Sequence, residues 1–173
     1  MRLLTTTALV LLVSACSNKE EKPAAAAAAP VPPSASKPSA TRPAELPATL
    51  AVSTDCALER FNDAPPSADD NAVTDKSKVY LNGWAANSKS DQAPGDVYIE
   101  MTGPGHYFVK AERGIQRPDI AEVYKKPLLV NAGWSVTMDL SGVAPGAYDI
   151  KILEAAGAGS TECVPSNKIS IPG

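Results

Sequence analysis

The feature that most constrains this chain is an alternation of apolar and polar residues with a period of two in its second half. Val97, Ile99 and Met101 alternate with residues suited to a wet face. The same pattern recurs in residues 134–140 and 148–152. Successive side chains of a strand point to opposite faces, so each stretch is predicted to be a strand with one buried and one solvated face.

Other stretches extend this pattern to most of residues 52–173. Strands with poorer alternation are predicted at 78–84 and 106–111, and a last one, around Cys163 and 169–171, is interrupted by a proline. Turns rich in Gly and Pro separate these stretches. Strands at this spacing, without a long helical pattern, predict an all-β fold in the form of an antiparallel sandwich.

One short helix is predicted to cross an open end of this sandwich. Pro118 suits the first helical position, and Asp119 favours the helix dipole at that end. Ile120, Val123 and Tyr124 recur at i, i+3 and i+4 on one helical face, and Pro127 ends the segment.

Two motifs of this region resemble known extracytoplasmic domains. Residues 140–152 are similar to the loop and strand of immunoglobulin-like and fibronectin-like domains, in which a tyrosine, here Tyr148, bonds back to the upstream backbone. A longer pattern resembles small sandwich modules of bacterial envelope proteins: Gly83-Trp84, Arg117-Pro118-Asp119-Ile120-Ala121 and Asn131-Ala132-Gly133-Trp134. The resemblance implies an immunoglobulin-like sandwich with one crossover helix, and it transfers no catalytic residue.

Residues 17–51 have a different composition, which predicts a disordered tether. They contain seven of the 16 prolines and a run of six alanines at 24–29. Such a segment has few large apolar groups to offset the entropy of ordering it. About 30 residues of polyproline-like chain reach roughly 100 Å. The tether is either a spacer that lifts the domain off a membrane or a linker whose length matters little.

The first residues resemble the signal peptide of bacterial lipoproteins. One basic residue precedes an apolar run at 3–13, and this run ends in the lipobox-like sequence Val13-Ser14-Ala15-Cys16. The resemblance implies that residues 1–15 are removed and that Cys16 is acylated, which anchors the chain in the cell envelope. Ser17 is not the Asp that commonly retains such proteins at the inner membrane, so the resemblance favours the outer membrane.

The two other cysteines, Cys56 and Cys163, are predicted to form a disulfide. Export places them in an oxidising compartment, and lipid attachment removes Cys16 as a partner. The alternative of a reactive thiol pair lacks the close Cys-x-x-Cys spacing of redox sites.

Composition and motifs exclude several classes of function. The net charge of -3 gives no electrostatic reason for binding nucleic acid. Three Cys and the single His106 are too few for most Cys/His metal clusters, and no cofactor motif is present. No nucleophile–base pattern accompanies His106. The sequence therefore predicts a non-catalytic protein that binds a protein or a cell-wall component, with a carbohydrate-binding module as the alternative.

Six residues are candidates for the binding site, and each has a second interpretation. Arg117 and Asp119 form either a polar recognition site or simply the start of the helix. Trp84 and Trp134, together with Tyr80 and Tyr107, either stack on a sugar or belong to the core. Where these side chains point decides between the interpretations.

Overall fold

The computed structural model describes residues 34–90 and 93–173; the predicted signal peptide, Cys16 and the first part of the predicted tether lie outside them. The described residues form ten strands, one α-helix, α1 (Pro118–Tyr124), and two 3₁₀ helices, Pro127–Asn131 and Gly157–Gly159. The strands are β1 Ala51–Ser53, β2 Cys56–Phe61, β3 Asn71–Ala72, β4 Val79–Ala85, β5 Asp96–Thr102, β6 His106–Ile115, β7 Gly133–Met138, β8 Gly146–Ala155, β9 Thr161–Cys163 and β10 Lys168–Ile171.

The strands belong to one curled sheet in the order β1-β9-β8-β5-β6-β7-β4-β2, with β10 beside β8 and β3 beside β10. The prediction of a mostly β fold with one short helix is confirmed. The prediction of a purely antiparallel sheet is wrong, because β1 pairs with β9 and β3 with β10 in parallel. Parallel pairs need long connections, and both pairs join an early strand to a late one.

Strand β6 makes the sheet curl. Its residues 106–111 pair with β5, whereas its last residues pair with β7. The register shifts between Arg113 and Ile115, and Gly114 between them has φ +91°, a conformation that favours glycine. A bulge of this kind bends a strand, so the two parts of the sheet face each other across one core.

The core contains the alternating residues that the sequence predicts to be buried. Val97, Ile99 and Met101 point inward from β5 and are at most 2% exposed. They share one apolar cluster with residues of the opposite part of the sheet, including Leu81 and Trp134.

The predicted wet face of β5 is wrong, because Tyr98 and Glu100 are each only 5% exposed. Leu46 packs with Tyr98, and His106 contacts Glu100. Burial does alternate along β4 and, from Trp134 onwards, along β7.

Helix α1 and the 3₁₀ helix after it carry the chain from β6 to β7. The helix begins at Pro118, as predicted, and ends at Tyr124, after which Lys125 adopts a left-handed conformation. Ile120 and Leu129 anchor the two helices in a small apolar cluster with Ala86 and Ala132. Trp84 packs against this cluster, so the helices adjoin one end of β4.

The segment 34–50, here called the strap, lies against the sheet. The amides of Ser36 and Ser39 donate to the carbonyls of Thr137 and Phe108 at 2.8 Å each. Leu46 is only 5% exposed and packs in a cluster with residues of β5, β6 and β8. The prediction of a disordered tether is therefore wrong for residues 34–50, because one buried leucine and two backbone bridges fix this proline-rich stretch.

The predicted disulfide between Cys56 and Cys163 is present. It joins the start of β2 to the end of β9, with the two Cα atoms 6.3 Å apart. Because 107 residues separate the two cysteines in sequence, the bond closes nearly the whole folded domain into a loop.

Candidate functional site

The outer surface of strands β4 and β7 forms the candidate site, here called the β4–β7 face. Val79, Leu81 and Ala85 of β4 point into the core, which leaves the residues between them on the outside. The same alternation holds in β7. The face consists of Tyr80, Asn82, Trp84, Gly133, Ser135 and Thr137.

The register of the two strands sets a large residue of β4 beside a small residue of β7 in every row. Tyr80 is opposite Thr137, Asn82 is opposite Ser135, and Trp84 is opposite Gly133. Tyr80 and Trp84 are four residues apart on one side of a strand, which separates them by about 13 Å. The face is thus a shallow platform with an aromatic ring near each end.

A glycine is required at the Trp84 end of the face. A Cβ atom at position 133 would lie 2.7 Å from the carbonyl oxygen of Ile115 and 3.0 Å from Cγ of Arg117. The aliphatic part of Arg117 therefore lies directly over Gly133. This contact brings the helix start onto the edge of the face.

The polar groups of the face are not used in holding the fold together. The side chains of Tyr80, Asn82, Trp84, Ser135 and Thr137 form no hydrogen bond with any other described residue. All five residues are half-buried rather than freely exposed. A platform of neutral donors and acceptors is therefore available to a ligand.

Arg117 and Asp119 meet at the Trp84 end of the face. Nε and Nη2 of Arg117 donate to the Asp119 carboxylate at 2.9 and 2.6 Å. Nη1 and Nη2 donate to Glu59 of β2 at 2.7 and 3.0 Å. These hydrogen bonds raise the pKa of Arg117 and lower the pKa of Asp119. Arg117 is thus a clamp between α1 and β2 whose charge two carboxylates balance.

The two tryptophans that the sequence singles out lie on opposite sides of the sheet. Trp84 is on the β4–β7 face, and its ring is tilted against that of Tyr124 with the centroids 6.1 Å apart. Trp134 is fully buried in the core, and its indole N–H has no hydrogen-bond partner among the described residues. Trp134 is therefore a core residue, as the second interpretation holds, and Trp84 is the accessible one.

Tyr80, at the other end of the face, lies between two depressions. An open groove of about 480 Å³ adjoins one side, and its walls include Asn62, Thr74 and Lys78. A cavity of about 40 Å³ adjoins the other side, where Ser34 of the strap forms part of the wall. The tyrosine ring is therefore approachable from the groove, and the strap limits access on the opposite side.

Charged side chains surround the face. Lys78, Asp63 and Asp75 line the groove at the Tyr80 end, and Lys110 and Glu112 line the small cavity beside it. Arg60 of β2 is the cross-strand neighbour of Asn82, and Glu112 of β6 is the neighbour of Ser135. One transverse row thus reads Arg, Asn, Ser and Glu from edge to edge. The middle of the face carries no charged side chain, and its two edges carry opposite signs.

His106 lies outside this site and has a partner that the sequence did not indicate. Its Nε2 atom contacts Oε1 of Glu100, a residue of β5 that is 5% exposed. The ring also packs against Phe108 with the centroids 4.7 Å apart. Among the described residues no hydroxyl or thiol is hydrogen-bonded to His106, so the pair joins β6 to β5 without a nucleophile beside it.

Glu154 is a second buried carboxylate, at the end of β8. It is 2% exposed, and its Oε1 accepts a hydrogen bond of 2.8 Å from the amide of Gly95. Its Oε2 has no partner among the described residues. Burial raises the pKa of this carboxyl group. Glu154 therefore closes the turn before β5 and does not belong to the β4–β7 face.

The assignment of the candidate site rests on the residues described above, because comparison with family models and curated proteins adds no similar protein. No protein-family model matches the chain, and no curated protein matches it significantly. In the part of the chain that the structure describes, no three His, Cys, Asp or Glu residues are grouped so that they could hold a metal ion. Within the same residues, neither length nor hydropathy allows any helix to span a membrane.

Proposed function

We propose that this protein is a non-catalytic, lipid-anchored protein of the cell envelope that binds a partner through its β4–β7 face. The observation that carries the binding proposal is the set of neutral polar side chains, from Tyr80 to Thr137, that the fold leaves without partners. Half-buried polar groups that make no internal hydrogen bond are suited to hydrogen bonds with a ligand.

The location in the envelope rests on the signal and the lipobox-like sequence that ends at Cys16. The Cys56–Cys163 disulfide supports export, because such bonds persist in oxidising compartments and are rare in the cytosol. Ser17 favours the outer membrane over the inner one. The strap then connects the anchored segment to the margin of the β4–β7 face through Ser34.

An immunoglobulin-like sandwich is the finer description of the fold that we propose. In this description β2, β4 and β7 would form one sheet of the sandwich, and β5, β8 and β10 would belong to the other. The Tyr148 hydroxyl donates to the carbonyl of Ala144 at 2.9 Å, as expected of a tyrosine corner. The disulfide departs from the family pattern, because it links β2, at one end of the strand order, to β9 instead of joining the two sheet centres.

The anchor is tested with the variant Cys16→Ser. We expect this protein to leave the membrane fraction, because a hydroxyl group at position 16 cannot receive the lipid that holds the chain. Fractionation and intact mass measure the result. Ser14→Gly keeps a small residue in the motif and should stay with the membrane. A Cys16→Ser protein that still carries lipid and sediments with membranes would contradict the anchor.

Binding through the β4–β7 face is tested with a photo-crosslinking amino acid at position 137 or 168. In intact cells we expect discrete adducts from position 137, on the face, and none from Lys168, an exposed residue of β10. Adducts are detected by gel shift and mass spectrometry. Equal labelling at the two positions would show that the face is not a preferred contact surface.

A further inference from the structure

We propose that the β4–β7 face binds a linear, uncharged oligosaccharide, with Tyr80 and Trp84 as two stacking surfaces and with Asn82 and Ser135 as hydrogen-bonding groups between them. The proposal rests on the binding function given above and names the class of ligand at the same face. Three observations carry it: the spacing of the rings, the unused polar groups, and the distribution of charge.

The rings occur where a chain of sugars would need them. Tyr80 and Trp84 are on the same side of β4, about 13 Å apart, which is the length of a few linked pyranose rings. Aromatic faces pack against the C–H surface of a pyranose ring, and the phenol and indole groups also supply polar atoms. Ser135 keeps the space in the middle of the face low, so that a chain could lie along the strand there, whereas Arg117 covers Gly133 at the Trp84 end.

The unused polar groups favour a ligand rich in hydroxyl groups. The amide of Asn82 offers donors and an acceptor, and the hydroxyls of Ser135 and Thr137 can do either. An apolar protein surface that covered them would leave each group without a hydrogen-bond partner, which costs free energy. A sugar chain provides a hydroxyl group for each of them, so it can cover the face without this cost.

The charge distribution favours a ligand without charge. Glu59 and Asp119 already pair with the guanidinium of Arg117, the cation at the Trp84 end of the face. Arg60 and Glu112 stand on opposite edges and offset each other. A phosphate or carboxylate group midway between the rings would face no cation, and at the Tyr80 end Lys78 shares the groove with the carboxylates of Asp63 and Asp75. A neutral sugar needs no cation at this position, whereas a lipid headgroup or an acidic polysaccharide would bring a charge without a partner.

The two ends of the face differ, and this difference sets the direction in which the ligand extends. Helix α1 and the Arg117 clamp stand over the Trp84 end. The Tyr80 end opens into the groove of about 480 Å³. A bound chain therefore ends or turns at Trp84 and continues past Tyr80 into the groove, where Asn62 and Thr74 provide further polar contacts.

The test is calorimetric titration of the full-length protein in detergent with the hexamer of β-1,4-linked N-acetylglucosamine, with cellohexaose and with oligogalacturonate. We expect one or both neutral hexamers to bind and the acidic oligosaccharide not to bind. The two neutral probes distinguish an amino-sugar chain from a glucose chain. Binding of oligogalacturonate as tight as that of the better neutral hexamer would overturn the assignment to an uncharged ligand.

Variants of the protein test whether the oligosaccharide binds at the β4–β7 face. Ser135→Arg places a long side chain between the rings and should abolish binding, whereas Lys168→Ala on β10 should leave the affinity unchanged. Tyr80→Ala should weaken binding at least tenfold, which corresponds to about 1.4 kcal/mol. Unfolding midpoints show whether each variant is folded. If Tyr80→Ala is not folded, the outward-facing substitution Ser135→Arg decides between the outcomes. Binding that survives Ser135→Arg would place the sugar elsewhere and overturn the proposal.

Failure of this inference is distinct from failure of the proposed function. If no neutral hexamer binds while position 137 still cross-links to a partner in cells, the ligand is not a glycan and the face remains a binding surface. If neither result appears, both proposals fail together.

Discussion

Replacing Cys56 and Cys163 together by Ala is expected to lower the free energy of unfolding by about 2–5 kcal/mol. The bond joins residues 107 apart in sequence, so its loss releases a long loop in the unfolded chain. It also connects β2, at one end of the strand order, to β9, next to the other end. The free energy of unfolding is measured by urea titration of the full chain.

The matched control for this prediction is Cys16→Ser, which removes the third thiol and leaves the Cys56–Cys163 bond in place. This variant should unfold at the same urea concentration as the parent protein in detergent. Equal midpoints for the disulfide-free variant and the parent would mean that packing alone holds β2 to the rest of the sheet.

A chain that begins at Leu50 is expected to be about 3–5 kcal/mol less stable than one that begins at Ser17. Leu46 packs against Tyr98, Phe108 and Leu153, and removing it exposes those three apolar side chains. Loss of one buried leucine alone costs roughly 2–5 kcal/mol. The backbone bridges at Ser36 and Ser39 are lost as well. Thermal unfolding should show a midpoint lower by roughly 10 °C.

Two point variants separate packing from chain length in this prediction. Leu46→Ala in the full chain should account for most of the loss, whereas Glu45→Ala, at an exposed neighbouring position, should be neutral. If the chain from Leu50 unfolded at the same temperature as the longer chain, the strap would contribute nothing to the stability of the domain.

The sequence predicted those parts of the fold that depend on local patterns. Alternation located the inward residues of β5, β7 and β8, and the Pro-Asp pair located the start of α1. The disulfide followed from the count of thiols. Such signals lie within about ten residues or depend on composition alone, so they need no knowledge of the packed structure.

The strap could not be predicted, because its signal is a single side chain within a biased composition. Ser, Ala and Pro dominate residues 34–50, and this composition indicates disorder. Leu46 matters only because Tyr98 and Phe108 form a site for it on the outside of the sheet. The parallel pairs have a similar origin, since β1 and β3 reach their partners only once the two ends of the chain meet.

The β4–β7 face was predicted in part. Alternation assigned Ser135 to a wet face, and Trp84 was already a candidate, but the sequence did not show that the two share one surface. That depends on the register between β4 and β7. Likewise, Arg117 and Asp119 are neighbours in sequence, whereas their third partner, Glu59, is 58 residues away and meets them only after β2 joins the sheet.

The order in which the chain meets the domain determines how it would respond to tension from an anchor at Cys16. A pull from that end acts first on the strap, whose bridges at Ser36 and Ser39 can open one after the other without separating the main strands. Release of its 17 residues would lengthen the connection by about 50 Å at 3.1 Å per residue. After the strap is released, the force passes through β1 to Cys56, and the disulfide transmits it to Cys163. Under tension the strap would thus supply additional chain length, and the disulfide would keep the force from unfolding the strands of the core.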